Sequence, residues 1–255
     1  MLINKMRKII KKLINKFGYN ISRINKKYEN INLDDLLSRK INNINPIVFD
    51  VGGNKGQSIE KFKKILNNPI IHSFEPNKEV FDIMYYNFKK DDKVFCNNFA
   101  LGNKIENKEF NITEQTGKSS FYDLNTSKEW FKKRNKRYTT HVTSKEMVKV
   151  LTLDHYCNEK GVNEIDLLKM DTQGYEEKIL EGSLNFLKNK KIKFIVAEII
   201  FNDYYDKYFL FSDIEKHLVP NNFRLVGIEI NNNNIFHGAM FGANVYYMNK
   251  KFYNI

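Results

Sequence analysis

The sequence that decides the fold is PIVFDVGGNKGQS, residues 46–58. Its first six residues are mostly β-branched or aromatic, which predicts a buried strand over 46–51. Gly52, Gly53 and Gly56 follow at once, and residues 56–66 carry apolar side chains at helical spacing. Glycines at such a turn let the backbone approach a ligand at the helix N-terminus. The segment therefore predicts a strand, a ligand-binding loop and a helix.

Further strands and helices alternate on both sides of an irregular region. Strands are predicted at 70–74, 94–98, 165–170 and 193–199, with helices at 79–88, 175–188 and 210–219 and a closing pair of strands at 223–230 and 240–248. Residues 99–150 break this alternation, with short strands predicted at 108–112 and 119–122, a basic helix at 127–137 and a strand at 147–153. Alternating strands and helices predict a parallel sheet with right-handed crossovers.

Two carboxylates stand beside the predicted loop. Asp50 lies two residues before Gly52, where an unpaired carboxylate would repel a pyrophosphate and attract the cationic sulfonium amino acid of S-adenosylmethionine (SAM). Glu75 ends the second strand, where a carboxylate can accept hydrogen bonds from ribose hydroxyls. Separately, Asp50 could be a helix cap and Glu75 a solvated strand end. Their joint occurrence favours a cofactor site.

Several short motifs recur in a familiar order. They are VFDVGGNKGQS (48–58), FEPN (74–77), NFALG (98–102), VLTLD (150–154), IDLLKMDTQGYE (165–176), LEG (180–182) and VAE (196–198). Together they make the chain resemble the FkbM family of SAM-dependent methyltransferases over roughly residues 47–248. The chain departs from that family at Gln173, where an acid is more usual, and at Ala243-Asn-Val-Tyr246 in the closing strand.

The resemblance implies a fold and an activity. The fold is α/β, a Rossmann-like class I methyltransferase with a mostly parallel seven-stranded sheet whose last strand is antiparallel. The activity is SAM-dependent O-methylation, often of a sugar or polyketide hydroxyl. The predicted acceptor is a carbohydrate hydroxyl, either on a surface polysaccharide precursor or, if the basic helix at 127–137 is a lid, on a nucleotide-activated sugar. Residues 46–255 would form this domain, and residues 1–45 a basic helical extension. The expected cofactor-binding residues are Asp50, Gly52, Gly53, Asn54, Gly56, Ser58, Glu75, Pro76, Asn77, Asn98, Ala100 and Asp171.

An alcohol acceptor must lose a proton, which requires a base or a metal ion. Asp171 follows the fourth main-sheet strand and is the first choice, with capping of the next helix as its alternative. His141 and His237 are further catalytic candidates on predicted loops. Asp171 and Glu198 could hold a divalent ion through their oxygens, but the prediction is that no metal is needed.

Charge and composition limit the classes of binding partner that the sequence predicts. Hydrophobic residues make up 42% of the 255 residues and charged ones 28%, which is typical of a globular chain. The net charge is +12, yet residues 1–28 contain nine basic residues and no acid, so the remaining chain has a balance of only +3. The charge outside the N-terminal segment therefore does not predict nucleic acid as a partner. Two cysteines indicate a reducing, cytoplasmic compartment.

Two basic segments leave alternatives open. Residues 2–17 predict an amphipathic helix. It either lies on the anionic inner surface of the membrane, or packs on its own domain, or packs on a second copy of the chain in a homodimer. The helix at 127–137 is either a lid over an anionic acceptor or a solvated face with aromatic residues packed inward. An RNA acceptor, another small-molecule hydroxyl, a nicotinamide dehydrogenase and a non-catalytic membrane-surface or nucleic-acid-binding protein are the competing functions.

Overall fold

A mostly parallel seven-stranded sheet organises the chain. The computed structural model describes residues 16, 32–136, 140–207, 209–230 and 241–252, and Leu33–Ile255 form one compact unit. In chain order the strands are β1 Ile47–Val51, β2 Ile70–Phe74, β3 Val94–Asn97, β4 Ala100–Leu101, β5 Glu106–Thr113, β6 Val142–Leu151, β7 Ile165–Met170, β8 Ile192–Ile200, β9 Phe223–Ile230 and β10 Gly242–Asn249. The main sheet has the order β3-β2-β1-β7-β8-β10-β9. β10 runs antiparallel to both of its neighbours, so the predicted fold class, with its antiparallel last strand, is confirmed.

Helices cover both faces of this sheet. They are α1 Leu33–Lys40, α2 Gln57–Ile65, α3 Lys78–Phe88, α4 Glu129–Asn135, α5 Leu153–Lys160, α6 Glu176–Glu181, α7 Leu184–Lys188 and α8 Phe211–Leu218. Successive strand residues point to opposite faces, so Val48 belongs to a core cluster with residues of α1, α2 and α3, whereas Phe49 belongs to a cluster with residues of α5 to α8. The predicted amphipathic helix at 2–17 lies outside the described residues, apart from Lys16. Within the described part, no helix is long and apolar enough to span a bilayer.

The helix predicted over 175–188 is in fact two helices, α6 and α7, and the break falls at Gly182. A Cβ on this residue would lie 1.9 Å from the backbone oxygen of Gly102. The Asp154 carboxylate then accepts hydrogen bonds from the backbone N–H groups of Asn185 and Phe186, at 2.8 and 3.2 Å, which start α7. The periodicity of the apolar residues continues through this break, which is why the sequence pattern missed it.

The irregular region contains a second, three-stranded sheet in the order β4-β6-β5, which the sequence analysis did not predict. The strand predicted at 147–153 begins at Val142 instead, because residues 142–151 pair along the whole of β5. The strand predicted at 119–122 is wrong: only an isolated bridge joins Ser120 to Asn111. This small sheet places residues 110–121 over the carboxyl ends of the main strands, beside the pocket described below.

Candidate active site

A pocket opens beyond the carboxyl ends of β1, β2, β7 and β8. Its cavity volume is about 200 Å³. Six predicted cofactor residues line it: Gly52, Asn54, Glu75, Pro76, Ala100 and Asp171. The turn Thr116–Ser119, from the irregular region, forms part of its opposite wall. The strand-end position is where open α/β sheets bind their ligands.

Glu75 is the carboxylate at the tip of β2. Its two oxygens accept backbone hydrogen bonds from Asn54 and Asn77, both at 2.9 Å, so the side chain is held rigidly. Burial raises the pKa of this carboxyl to about 7, although both backbone N–H groups oppose that rise. Each oxygen keeps a second lone pair, and Glu75 lines the pocket. It can therefore accept a pair of ribose hydroxyls as predicted.

Asp50 has a different environment from the one assumed in its prediction. It is fully buried and does not line the pocket. The Lys169 ammonium lies 3.0 Å from its Oδ1, and the Ser73 hydroxyl donates to its Oδ2 at 3.0 Å. Lys169 also donates to the Gly52 carbonyl at 2.9 Å. Because the carboxylate is already neutralised, it shapes the glycine-rich loop rather than attracting a sulfonium by an unpaired charge.

The remaining predicted cofactor residues support the pocket from behind. Asn77 caps α3 by accepting from the Val80 N–H, and Asn98 donates through Nδ2 to the backbone oxygens of Glu75 and Pro76. Gly53 and Gly56 allow close packing: a Cβ would lie 2.1 Å from the Ser73 hydroxyl in the first case and 2.3 Å from the Phe88 ring in the second. Ser58 is half-buried on α2 and does not line the pocket.

The other end of the pocket holds a pair of carboxyl groups, Asp171 and Glu198. Burial and the negative charge of Asp171 raise the pKa of Glu198 to about 8. The pKa of Asp171 is lowered, because Lys169 and hydrogen bonding from Gln173 outweigh its burial. Gln173 donates through Nε2 to both carboxyls, at 2.9 Å for Asp171 and 2.6 Å for Glu198. At neutral pH the pair therefore holds about one negative charge and one proton.

Of the two predicted catalytic histidines, only His141 is among the described residues. His141 is on the surface, with Nδ1 3.4 Å from a carboxylate oxygen of Glu114, and does not line the pocket. His237 lies outside the described residues. Of the predicted lid helix, Phe131 is buried and Trp130 donates to the Asp203 carboxylate at 2.9 Å. Both aromatic residues pack with Tyr204, as the solvated-face interpretation of this segment requires.

The sequence analysis missed two lysines of the site. Lys169 lies in the buried run of β7, where a charged side chain requires a partner, and that was the available signal. Lys118 comes from the short turn after β5 and reaches Gln173 Oε1 at 3.1 Å. Nothing in the local sequence indicated this contact, because 55 residues separate the two side chains.

A second group that could hold a metal ion lies away from the pocket lining. Glu177, Glu181 and His217 bring their ligand atoms within 4.8 Å of one another. Glu177 is ion-paired with Lys216, and Glu181 with Lys178 at 2.7 Å. Because both carboxylates already have lysine partners, this cluster has the features of a surface ion-pair network.

The sheet order and the strand-end pocket define a class I methyltransferase fold. A family model for the methyltransferase FkbM domain matches residues 50–225, and the chain belongs to that family. SAM is the cofactor of the family, and the rigid Glu75 carboxylate beside the open glycine-rich loop fits its adenosyl ribose.

Known proteins similar to this chain include a curated relative and solved structures. The chain is 25% identical over 162 residues to the 2-O-methyltransferase NoeI of Sinorhizobium fredii, covering 63% of this chain and 66% of the relative, just under two thirds of its length. An rRNA methylase from Streptococcus thermophilus aligns with a TM-score of 0.46 and 11% identity, over 89% of this chain and 99% of the other. Aeropyrum pernix fibrillarin with bound SAM aligns with a TM-score of 0.42 and 11% identity, over 80% and 66% of the two chains.

Proposed function

We propose that this chain is a SAM-dependent O-methyltransferase whose acceptor is a hydroxyl group of a carbohydrate, in a nucleotide-activated sugar or a polysaccharide precursor. The observation that carries the proposal is the division of the pocket into two ends. Glu75 lines one end and would bind the ribose, and Asp171 and Glu198 line the other end and would receive the acceptor. SAM, when bound, supplies a methyl group on a sulfonium with a good leaving group.

The acceptor end suits a hydroxyl that must lose its proton. Glu198 is proposed as the general base, acting in its ionised form, whose fraction grows as pH rises toward its pKa of about 8. Asp171, kept ionised, would accept a hydrogen bond from the acceptor and orient it. Holding the oxygen against the methyl group can supply about 7–11 kcal/mol of the barrier. The relative named a 2-O-methyltransferase supports oxygen as the accepting atom.

The charges of the lining support a neutral polyol at the acceptor end. Among the described lining residues the ionisable side chains are Glu75, Asp171, Glu198 and a single cation, Lys118. A phosphate beside three carboxyl groups would be repelled, whereas sugar hydroxyls can donate hydrogen bonds to them. The site therefore favours the sugar ring itself, with any phosphate further out.

An adjoining cleft supplies a place for such a phosphate. It shares Tyr175 with the main pocket, and its charged lining residues are four lysines and two carboxylates: Lys104, Lys108, Lys178, Lys207, Glu106 and Glu177. Lys108 Nζ lies 5.3 Å from the centroid of the Tyr175 ring, and Lys207 Nζ lies 6.0 Å from that of Tyr122. Lysines over aromatic rings can bind the diphosphate of a nucleotide sugar. This arrangement supports the nucleotide-activated form of the acceptor.

The test is a calorimetric titration of the full chain with SAM, followed by incubation with a panel of nucleotide sugars and oligosaccharides. The expected result is SAM binding and one product heavier by a methyl group, found by mass spectrometry. A matched control is Glu198→Gln, which should keep SAM binding and lose the product. SAM binding with methylation of RNA and no carbohydrate product would contradict the proposed acceptor. Membrane contact through residues 1–28 stays a separate prediction, tested by flotation with anionic liposomes.

A further inference from the structure

The amide of Gln173 lies at the centre of a polar cluster at the acceptor end. Its Nε2 donates to Asp171 Oδ1 and Glu198 Oε2. Its Oε1 accepts from the Lys118 ammonium at 3.1 Å, and the Tyr205 hydroxyl shares its one proton between this oxygen, at 3.1 Å, and the Lys118 backbone carbonyl, at 3.0 Å. Both N–H donors of the amide are therefore used by the two carboxyl groups. Gln173 is only 6% exposed, whereas Asp171 and Glu198 are partly exposed to the pocket that they line.

The charges around the amide fix which way it faces. Turning it over would place its oxygen against two carboxyl groups and its NH2 group against the Lys118 ammonium. Both contacts would be repulsive, so the orientation follows from the charges. The backbone is held as well: Gln173 has a φ of 56°, and its carbonyl accepts from the Ser120 hydroxyl at 2.8 Å. A non-glycine residue in this conformation requires such support from its surroundings.

Two carboxyl groups that meet at one site need a shared proton, a hydrogen-bond donor or a cation to offset their repulsion. In oxygen-ligand sites a divalent cation can have that role. Here Nε2 of Gln173 donates to both carboxyl groups, and the Gln173 side-chain carbonyl accepts from Lys118 on the far side.

We infer that Gln173 is a positioning residue that takes the place of a cation between Asp171 and Glu198, so that this site works without a divalent metal ion. One part of this inference rests on the proposed function, namely that the two carboxyl groups bind the acceptor. Gln173 acts through Glu198 and Asp171, by keeping their oxygens at a fixed separation. A carboxylate at position 173 would reverse this effect: it would place a third acidic side chain beside Asp171 and Glu198, where Gln173 now supplies hydrogen-bond donors.

The experiment measures Mn²⁺ binding to the full chain by the loss of the free-ion electron paramagnetic resonance signal. Four proteins are compared: wild type, Gln173→Met, Gln173→Glu, and Gln173→Glu combined with Lys118→Gln. The methionine variant keeps side-chain length without the hydrogen bonds. The Lys118 change removes the ammonium that would pair with a carboxylate at 173. Circular dichroism confirms that each variant is folded.

Wild type and Gln173→Met are expected to bind no Mn²⁺ at this site at millimolar concentration. The combined variant should bind one equivalent at least ~10-fold more tightly than wild type, as expected for three carboxylate ligands. Adding Glu198→Gln to it should abolish that binding, which a merely structural role for Gln173 would not predict. EDTA should leave wild-type methyl transfer unchanged.

Two results would overturn the inference. One is stoichiometric Mn²⁺ binding by wild type that Glu198→Gln removes. The other is a folded combined variant that gains no Mn²⁺ affinity. If the variants fail to fold, the wild-type titration still decides between metal-free and metal-bound. SAM calorimetry on the same wild-type sample separates the two proposals: SAM binding together with bound Mn²⁺ overturns only this inference, whereas neither binding contradicts the proposed function.

Discussion

Replacing Lys169 with methionine tests the buried ion pair beneath the glycine-rich loop. The Lys169 ammonium is 3.0 Å from Asp50, whose side chain is fully buried, and 2.9 Å from the Gly52 carbonyl. Lys169→Met keeps much of the side-chain volume but leaves the Asp50 carboxylate without its counter-charge. Removing one partner of a buried pair costs about 3–5 kcal/mol. We expect the free energy of unfolding to fall by that amount at pH 7.5.

The matched variants separate the ion pair from a general packing effect. Asp50→Asn combined with Lys169→Met removes both charges, so it should recover at least about 2 kcal/mol of the loss. Lys64→Met, at an exposed position of α2, should change stability by less than about 0.5 kcal/mol.

Urea unfolding of the full chain, followed by circular dichroism at pH 7.5, measures these changes. A loss below about 1 kcal/mol, or no recovery in the double variant, would refute the account of this ion pair.

The remaining predictions concern cofactor binding, pH and packing. Glu75→Gln should weaken SAM binding by about 10- to 100-fold in calorimetry, because hydrogen bonds to a charged group contribute about 1.5–3 kcal/mol. In addition, one amide cannot accept hydrogen bonds through both of its ends from Asn54 and Asn77. The control is Glu79→Gln, on the exposed face of α3, which should leave the Kd for SAM unchanged. Burial raises the pKa of Glu176 in the folded state to about 7, so its stabilising contribution is complete below its ordinary pKa of 4.5 and is lost as pH rises to about 7. Glu176→Gln should therefore remove about 3 kcal/mol from the fall in unfolding free energy over this pH range, measured by urea unfolding. An unchanged dependence on pH would argue against this role of Glu176. Gly182→Ala should lower the free energy of unfolding by more than about 2 kcal/mol, because its Cβ would lie 1.9 Å from a backbone oxygen; a loss below 0.5 kcal/mol, on the order of a surface change, would contradict this packing.

The sequence predicted most of the main sheet because its strands are short apolar runs separated by glycine-rich or capped turns. β2 and β7 begin and end where predicted. The small sheet was missed because β6 has an exposed, polar first half, whose strand conformation comes from pairing with β5 rather than from its own apolar pattern. In such a segment tertiary pairing overrides local propensity.

The candidate site divides in the same way. Residues on the glycine-rich loop and at strand tips could be identified, since their positions follow from the strand ends, and Glu75 lies where expected. The partner of Asp50 could not be identified from the sequence, because Lys169 is 119 residues away along the chain and contacts Asp50 only through the pairing of β1 with β7. Gln173 was noticed only as a departure from a family pattern, and its role required the positions of Lys118 and Tyr205.

A crystal structure of the full chain with S-adenosylhomocysteine would test most directly where the cofactor binds. The account predicts both ribose hydroxyls within 3.2 Å of the Glu75 carboxylate, within ordinary hydrogen-bond range, and the thioether facing Asp171 and Glu198. A ribose bound away from Glu75, or a thioether turned away from the two carboxyl groups, would contradict it.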